Sequence, residues 1–241
     1  MKIVLLSLFS LFSFQYSFSQ STENNSVTDL QVKNAVGLYN HFTDGNAPIY
    51  SGTDYLYYNF KMDGDPFFLT GRYTIGSVGY QGRMYDSISI FYDVQRNQLV
   101  LLGPDSLSNI VLNNPLVDSF YLLGHTFISL NEDHKKNLYN SGFYDFLYSG
   151  HVQLLARRVK TMRDVINNLT ITRVFSSEDR YYIYKGGLYY LVSNKKDVLR
   201  LFSDKEHDIK RMLHREHLKL KRKTFEVSLV KVTAVYDQLI H

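Results

Sequence analysis

Between residues 54 and 192 the sequence alternates apolar and polar side chains with a period of two, and short reversals interrupt the alternation every few residues. Such alternation puts apolar side chains on one face of a strand, so it commits the chain to pleated sheet. Over 54–62, Leu56, Tyr58, Phe60 and Met62 share one face, and Tyr55, Tyr57, Asn59 and Lys61 share the other. Asp63-Gly64-Asp65-Pro66 reads as a turn, 67–75 resumes the extended pattern, and Tyr80-Gln81-Gly82-Arg83 reads as a tight reversal. Residues 84–94 alternate again and predict Ile88, Ile90, Tyr92 and Val94 facing inward, with Gln95-Arg96-Asn97 leading to a partner strand over 98–102. Further strands are expected at 108–112, 119–123, 125–130, 142–148 and 152–159, with Ser149-Gly150 joining the last two. Residues 180–184 and 188–192 pair around Lys185-Gly186-Gly187, a strong signal for a type I′ or II′ turn.

Strands joined by short reversals need no crossover helices, so the predicted fold is mainly β. It is an antiparallel meander forming a curved sheet, a barrel or a sandwich, followed by a short C-terminal helical segment. The 20 Tyr and 16 Phe suit half-buried strand positions. No fixed-period repeat of the propeller or solenoid kind is present.

After Val192 the period lengthens towards four. Ser193 or Asn194 is positioned to cap a helix whose Val198, Leu199 and Phe202 share a face. Ser203, with Glu206 three residues on, reads as a capping box for a second helix with an apolar stripe of Ile209, Met212 and Leu213. Residues 224–239 fit both periods: Phe225, Leu229, Val232 and Tyr236 make a helical face, and Phe225, Val227 and Leu229 alternate as in a strand. Helix is the preferred reading.

Residues 1–19 read as an export signal. Lys2 supplies the positive start, 3–14 the apolar run, and Ser17-Phe18-Ser19 the small residues before cleavage at Gln20. The apolar run is shorter than the roughly 20 residues a membrane span needs, and no later segment approaches that length. The expected product is therefore exported, periplasmic or extracellular, with no transmembrane span in the mature chain. Its organisation is a lead-in over 20–53, an antiparallel β domain over 54–192 and a basic, mostly helical segment over 193–241. With no cysteine, the chain forms no disulfide and offers no thiol nucleophile, so its stability must come from a core.

The strongest charge feature is 195–223, where eleven basic residues face five acidic ones, a local charge of +6 in a chain of net +4. Lys210, Arg211, Arg215, Lys219, Lys221, Arg222 and Lys223 are the candidate binding residues, for an anionic envelope component or a protein partner. No base-reading motif accompanies them, so no specific nucleic acid is expected. His207, His214 and His217 lie in the same stretch, and His214 and His217 are spaced to meet on one helical face as metal ligands do, but a third ligand and a second shell are wanting and His-Glu-x-x-His is absent, so no metal or cofactor is implied. Asp44-Gly45-Asn46 and Asp63-Gly64-Asp65 lack the oxygen ligands of a calcium loop and read as turns. Gly76-Ser77-Val78-Gly79 has the wrong spacing for a nucleophile elbow. Asp86, Asp93, Asp118 and Asp145 lie in or beside strands and read as solvent-facing or turn residues, although a glycosidase pair leaves no short signature. Six aromatic pairs, such as Phe91-Tyr92 and Tyr181-Tyr182, put one ring on each face of a strand.

The stretch Gly76-Ser77-Val78-Gly79-Tyr80-Gln81-Gly82, with Phe91-Tyr92-Asp93, Gly142-Phe143-Tyr144, residues Tyr181-Tyr182-Ile183-Tyr184-Lys185-Gly186-Gly187 and Lys195-Lys196-Asp197, resembles uncharacterised secreted proteins of the Bacteroidota. The likeness covers most of the mature chain, and Phe18-Ser19-Gln20 fits it too. Its motifs are structural, so it implies location and fold and carries no catalytic residue. The expected function is non-enzymatic binding or scaffolding. The alternatives are a β carrier of an apolar ligand such as lipid, and a cryptic glycan hydrolase.

Overall fold

A computed structural model describes residues 47–167 and 170–240. The export signal, most of the lead-in and Asp44-Gly45-Asn46 lie outside the described residues. The fold is mainly β and antiparallel. In chain order the strands are β1 (Thr53–Asp54), β2 (Met62–Asp63), β3 (Thr74–Tyr80), β4 (Arg83–Asp93), β5 (Gln98–Leu102), β6 (Asn109–Val111), β7 (Val117–Leu122), β8 (His125–Leu130), β9 (Gly142–Tyr148), β10 (Gln153–Arg157), β11 (Lys160–Asn167), β12 (Thr170–Ser177), β13 (Arg180–Lys185) and β14 (Leu188–Val192). Three helices follow: α1 (Lys195–Leu201), α2 (Glu206–Arg215) and α3 (Phe225–Leu239).

Eleven strands form one sheet in the order β1-β6-β5-β4-β3-β7-β8-β9-β10-β13-β14, which runs from end to end without closing into a barrel. The turn chemistry sets its hairpins. Gln81 and Gly82 take φ of 53° and 71° between β3 and β4, and Gly186 and Gly187 take 57° and 85° between β13 and β14, the left-handed pairs that suit a two-residue hairpin. Gly76 answers a different need, because a Cβ there would run into the Tyr121 carbonyl on β7 and the Ile90 side chain on β4.

The predicted inward residues Ile90, Tyr92 and Val94 are buried with Val78, Tyr80, Leu99, Leu101, Phe120, Phe127 and Phe143 in one core, and Ile88 packs at its edge. Ile49 joins this core ahead of β1. The expectation of a single buried face is corrected: Phe91 and Asp93, on the opposite face of β4, are also sealed. A strap made by residues 55–58 covers that face. The strand expected over 54–62 does not form: only β1 and β2 at its ends join ladders, and Tyr55 and Tyr58, expected on opposite faces, both turn to Asp93. The Tyr55 and Tyr58 hydroxyls donate to Asp93 at 2.8 and 2.9 Å, and Tyr57 and Tyr73 donate to Asn109 at 2.9 and 2.7 Å. Tyrosine hydroxyls thus anchor the strap beyond its one backbone bond to β6, from Tyr55 N–H to the Asn109 carbonyl at 2.8 Å, and Leu56 is left 75% exposed. Residues 67–73 likewise stay out of β3; they are tied by Phe68 N–H to the Tyr92 carbonyl at 2.9 Å and turned by Leu69 at φ 58°.

The hairpin β11–β12 was not expected from the sequence. Together with β2 it forms a second, three-stranded sheet, in which β2 runs parallel to β12. Arg157 pairs with Arg180 at the end of the β10–β13 ladder, and Lys160 pairs with Ser177 at the start of the β11–β12 ladder. The two ladders are one ribbon that breaks at residues 158–159 and 178–179.

All three helices bury their apolar stripes, with Val198 and Phe202, with Ile209, Met212 and Leu213, and with Phe225, Leu229, Val232 and Tyr236, against Val152, Leu154, Ile183 and Val192 of the sheet. Asn194 caps α1 by accepting from Asp197 N–H at 3.1 Å and donating to the Asp197 carboxylate at 2.8 Å. Asn194→Ala is expected to cost about 1 kcal/mol in a urea unfolding midpoint. The Ser203/Glu206 capping box does not form: Ser203 opens a 3-10 turn, and Glu206 instead pairs with Lys210 one turn on. Residues 225–239 are helical despite their valines, because burial at Phe225, Ser228, Leu229, Val232, Thr233, Tyr236 and Asp237 follows the 3.6-residue period. Asp237 then fastens this helix to the β9–β10 loop by accepting from Val152 N–H and the Tyr148 hydroxyl, both at 3.0 Å.

Candidate binding surface and buried charge node

The seven candidate cations divide into two groups. Lys210, Arg211 and Arg215 are exposed on α2, and each lies near an acid: Glu206 at 2.5 Å, Asp208 at 3.7 Å and Glu216 at 3.4 Å. Lys219, Lys221, Arg222 and Lys223 occupy the connection from α2 to α3, are exposed, and meet no acid within ion-pair distance among the described residues. Local chemistry holds this connection in place. His217 takes φ 52° to end α2, Leu220 is buried among the helices, and the Lys219 carbonyl accepts from the Thr224 and Ser228 hydroxyls. Lys221 N–H donates to the Lys219 carbonyl at 2.8 Å, and Thr224 N–H to that of Lys221 at 2.9 Å. Four cations therefore project from a loop whose backbone is already fixed.

His207, His214 and His217 are exposed, and no group of three or more His, Asp or Glu side chains among the described residues is arranged to hold a metal ion.

A cleft of about 650 Å³ lies beside the basic loop, between it and the β12–β13 corner. Its walls carry Arg222 and Arg180, and Leu191, Leu220 and Phe225 supply apolar lining. No known protein family, curated protein or solved structure matches this chain.

The second polar centre sits at the broken ribbon. Arg158, with a side chain 9% exposed, donates from Nε to Asp145 at 3.0 Å, from Nη2 to the same oxygen, from Nη1 to Asp179 at 2.8 Å and from Nη1 to Glu226 at 2.5 Å. His125 Nδ1 lies 2.8 Å from that Asp145 oxygen, and Tyr181 donates to Glu226 at 2.9 Å. One guanidinium thus joins β9, the ribbon corner and α3. Although burial opposes its charge, the hydrogen bond to Glu226 and the charges of Asp145 and Glu226 raise the Arg158 pKa, so it stays a cation. Burial also pushes the Glu226 carboxyl up, but the Arg158 hydrogen bonds and charge, with Tyr181 and His125, outweigh it and hold the carboxyl below its ordinary range. Burial, then the charge of Glu226, pushes the Tyr181 phenol up. The centre gathers three carboxylates around one guanidinium and favours the ionised form of Glu226.

Reading strand aspartates as solvent-facing or turn residues holds for some and fails for others. Asp86 is exposed, and Asp118 accepts from Gly82 N–H at the β3–β4 turn at 2.7 Å. Asp93 and Asp145 are buried at 0% and 1% exposure. The signal that marks them is their setting, Ile90-Phe91-Tyr92-Asp93-Val94 and Phe143-Tyr144-Asp145-Phe146-Leu147, where a charge stands inside a continuous apolar run. Such a run belongs to a strand covered on both faces, where a carboxylate must find partners. Arg158, Asp179 and Glu226 are far apart in sequence and carry no comparable signal.

Proposed function

We propose that this chain is a non-enzymatic, exported binding protein that docks onto an anionic component of the cell envelope through the connection between α2 and α3. The observation that carries the reading is the set Lys219, Lys221, Arg222 and Lys223, exposed and unmatched by acids on a loop fixed by its own hydrogen bonds. Pre-ordered cations lose little conformational entropy on meeting a polyanion, and each contributes about 1 kcal/mol near an anionic surface. Among the described residues no helix is long and apolar enough to cross a membrane, so contact with such a surface would be peripheral. Export through residues 1–19 and kinship with secreted Bacteroidota proteins are part of the same proposal. Glycan hydrolysis has less support, because its general acid must hold a proton and Arg158 keeps Glu226 ionised. A β carrier has less support because the sheet is open and its core is filled with aromatic side chains.

The test is co-sedimentation of the protein with phosphatidylglycerol vesicles and with phosphatidylcholine vesicles. Retention on the anionic vesicles, lost by at least about tenfold on reversing Lys219, Lys221, Arg222 and Lys223 to Glu and lost again in high salt, is the expected result. Equal retention of the reversed variant, with an unchanged melting temperature, would reject the docking surface.

A further inference from the structure

We propose that the cleft beside the basic loop binds a single amphipathic anion, a phosphate or carboxylate headgroup on an alkyl chain. The inference takes the sign of the charge from the docking reading and shares Arg222 with it, but its other residues are different. Arg180, at the start of β13, and Arg222, in the loop, both line the cleft; both are exposed, and neither has an acid within ion-pair distance among the described residues. They lie on parts of the chain 42 positions apart, brought together by the contact of the Tyr181 ring with Phe225 at 5.4 Å between centroids. Two arginines lining one cleft suit an oxyanion, because each guanidinium presents paired N–H donors.

The lining between them is apolar. Val192, Leu220 and Phe225 are buried at its base, and Leu191 is 53% exposed at its side. A large exposed leucine beside buried apolar residues marks a place where an alkyl chain gains contact without disturbing the fold. The volume of about 650 Å³ fits a small-molecule site, which is commonly about 300–1,000 Å³.

The acids of the cleft do not cancel this. Asp179 is already engaged, with one oxygen on Arg158 at 2.8 Å and the other on Val159 N–H at 3.2 Å. Glu178 is exposed and carries the one acid charge of the cleft that no cation within ion-pair distance matches among the described residues. Two free cations against one free acid leave the cleft positive, and Lys221 and Lys223 in the adjoining loop add to its potential.

Titration with monomeric dodecyl phosphate, followed by calorimetry, tests the proposal. Saturable one-to-one binding is expected, weakened about tenfold by Arg180→Ala, by Arg222→Ala and by Leu191→Glu, and tightened by Glu178→Gln. All four positions are exposed, so the variants should fold, and unchanged melting temperatures would establish that they do. Inorganic phosphate and neutral dodecyl maltoside should each bind at least about a hundredfold more weakly, since each supplies one half of the ligand. Absence of saturable binding, equal affinity for inorganic phosphate, or indifference to Arg180→Ala would each overturn the proposal. Arg180→Ala and Leu191→Glu leave the loop lysines in place, so their loss of dodecyl phosphate with vesicle retention intact separates this site from the docking surface. Vesicle retention lost in Lys219/Lys221/Lys223→Glu while dodecyl phosphate still binds separates the two in the other direction.

Discussion

Replacing Arg158 with Met is expected to lower the stability of the protein by about 3–5 kcal/mol, the range for removing one partner from a buried ion cluster. For a chain of this size that corresponds to a melting temperature lower by roughly 6–20 °C. The substitution keeps the packing volume but leaves Asp145, Asp179 and Glu226 with no cation between them. Asp145 has the most to lose, since its other oxygen is already buried with no hydrogen-bond donor among the described residues. Asp145→Asn and Glu226→Gln added to Arg158→Met should restore more than half of the loss, because the cost lies in uncompensated charge and not in lost contact. If the triple variant is no more stable than Arg158→Met alone, the electrostatic account of this centre is wrong.

The same centre fixes a pH dependence. The folded Glu226 carboxyl is held below its ordinary 4.5, so its contribution is fully present above pH 4.5 and is lost as the pH falls through the depressed folded value. In Arg158→Met the burial that Arg158 outweighed is unopposed, which favours the protonated carboxyl. The difference in melting temperature between the two proteins should therefore be widest at neutral pH and narrow in acid. A constant difference from neutral to acid pH would remove Glu226 from the explanation.

Asp93→Ala should be nearly as damaging, at roughly 3 kcal/mol, because it strips the acceptor from several donors at once. Tyr55 and Tyr58 lose their hydroxyl partner, and Arg96 loses the contact that Asp93 makes with its backbone N–H at 3.0 Å. The Arg96 guanidinium, 4.0 Å above the Tyr58 ring, also loses its 3.9 Å ion pair with Asp93 and is left with the Leu56 carbonyl as its hydrogen-bond partner on the strap. The readout specific to this mechanism is limited proteolysis: cleavage within residues 55–73 should accelerate before the rest of the sheet opens. Uniform acceleration across all sites would mean that Asp93 supports the whole sheet and not the strap.

Most of the sheet is legible in the sequence, and the failures have physical causes. β8, β9 and β14 begin and end where the apolar pattern and the turns put them, because each has a sharp stop. The strap over 55–58 carries the same alternation but is fastened by tyrosine hydroxyls to Asp93 and Asn109 and not by a ladder, a choice that periodicity does not encode. β11 and β12 went unread because most of the ribbon is exposed, with Phe175 its one buried side chain among the described residues. Arg163 and Asp164 are exposed, and so are Met162, Ile166 and Ile171, so no apolar stripe marks an inside. At the surface, the basic run was visible as composition. Which of its members lack a partner depends on where α2 ends, and that turns on the single residue His217. The buried carboxylates were visible as charges inside apolar runs, but the arginine that gathers Asp145 with Asp179 and Glu226 is a product of topology.

The broken ribbon has a consequence for how such a chain can vary. Arg157 and Arg180 face each other at the end of the β10–β13 ladder, and β11 leaves and β12 returns through that doorway. Because Arg158 and Asp179 bolt the doorway shut and β2 pairs with β12 at Arg173 and Val174, the tip of the hairpin beyond these positions can lengthen, shorten or change its surface while the ladder behind it keeps its register. The protein thus carries a replaceable fingertip on a fixed hand.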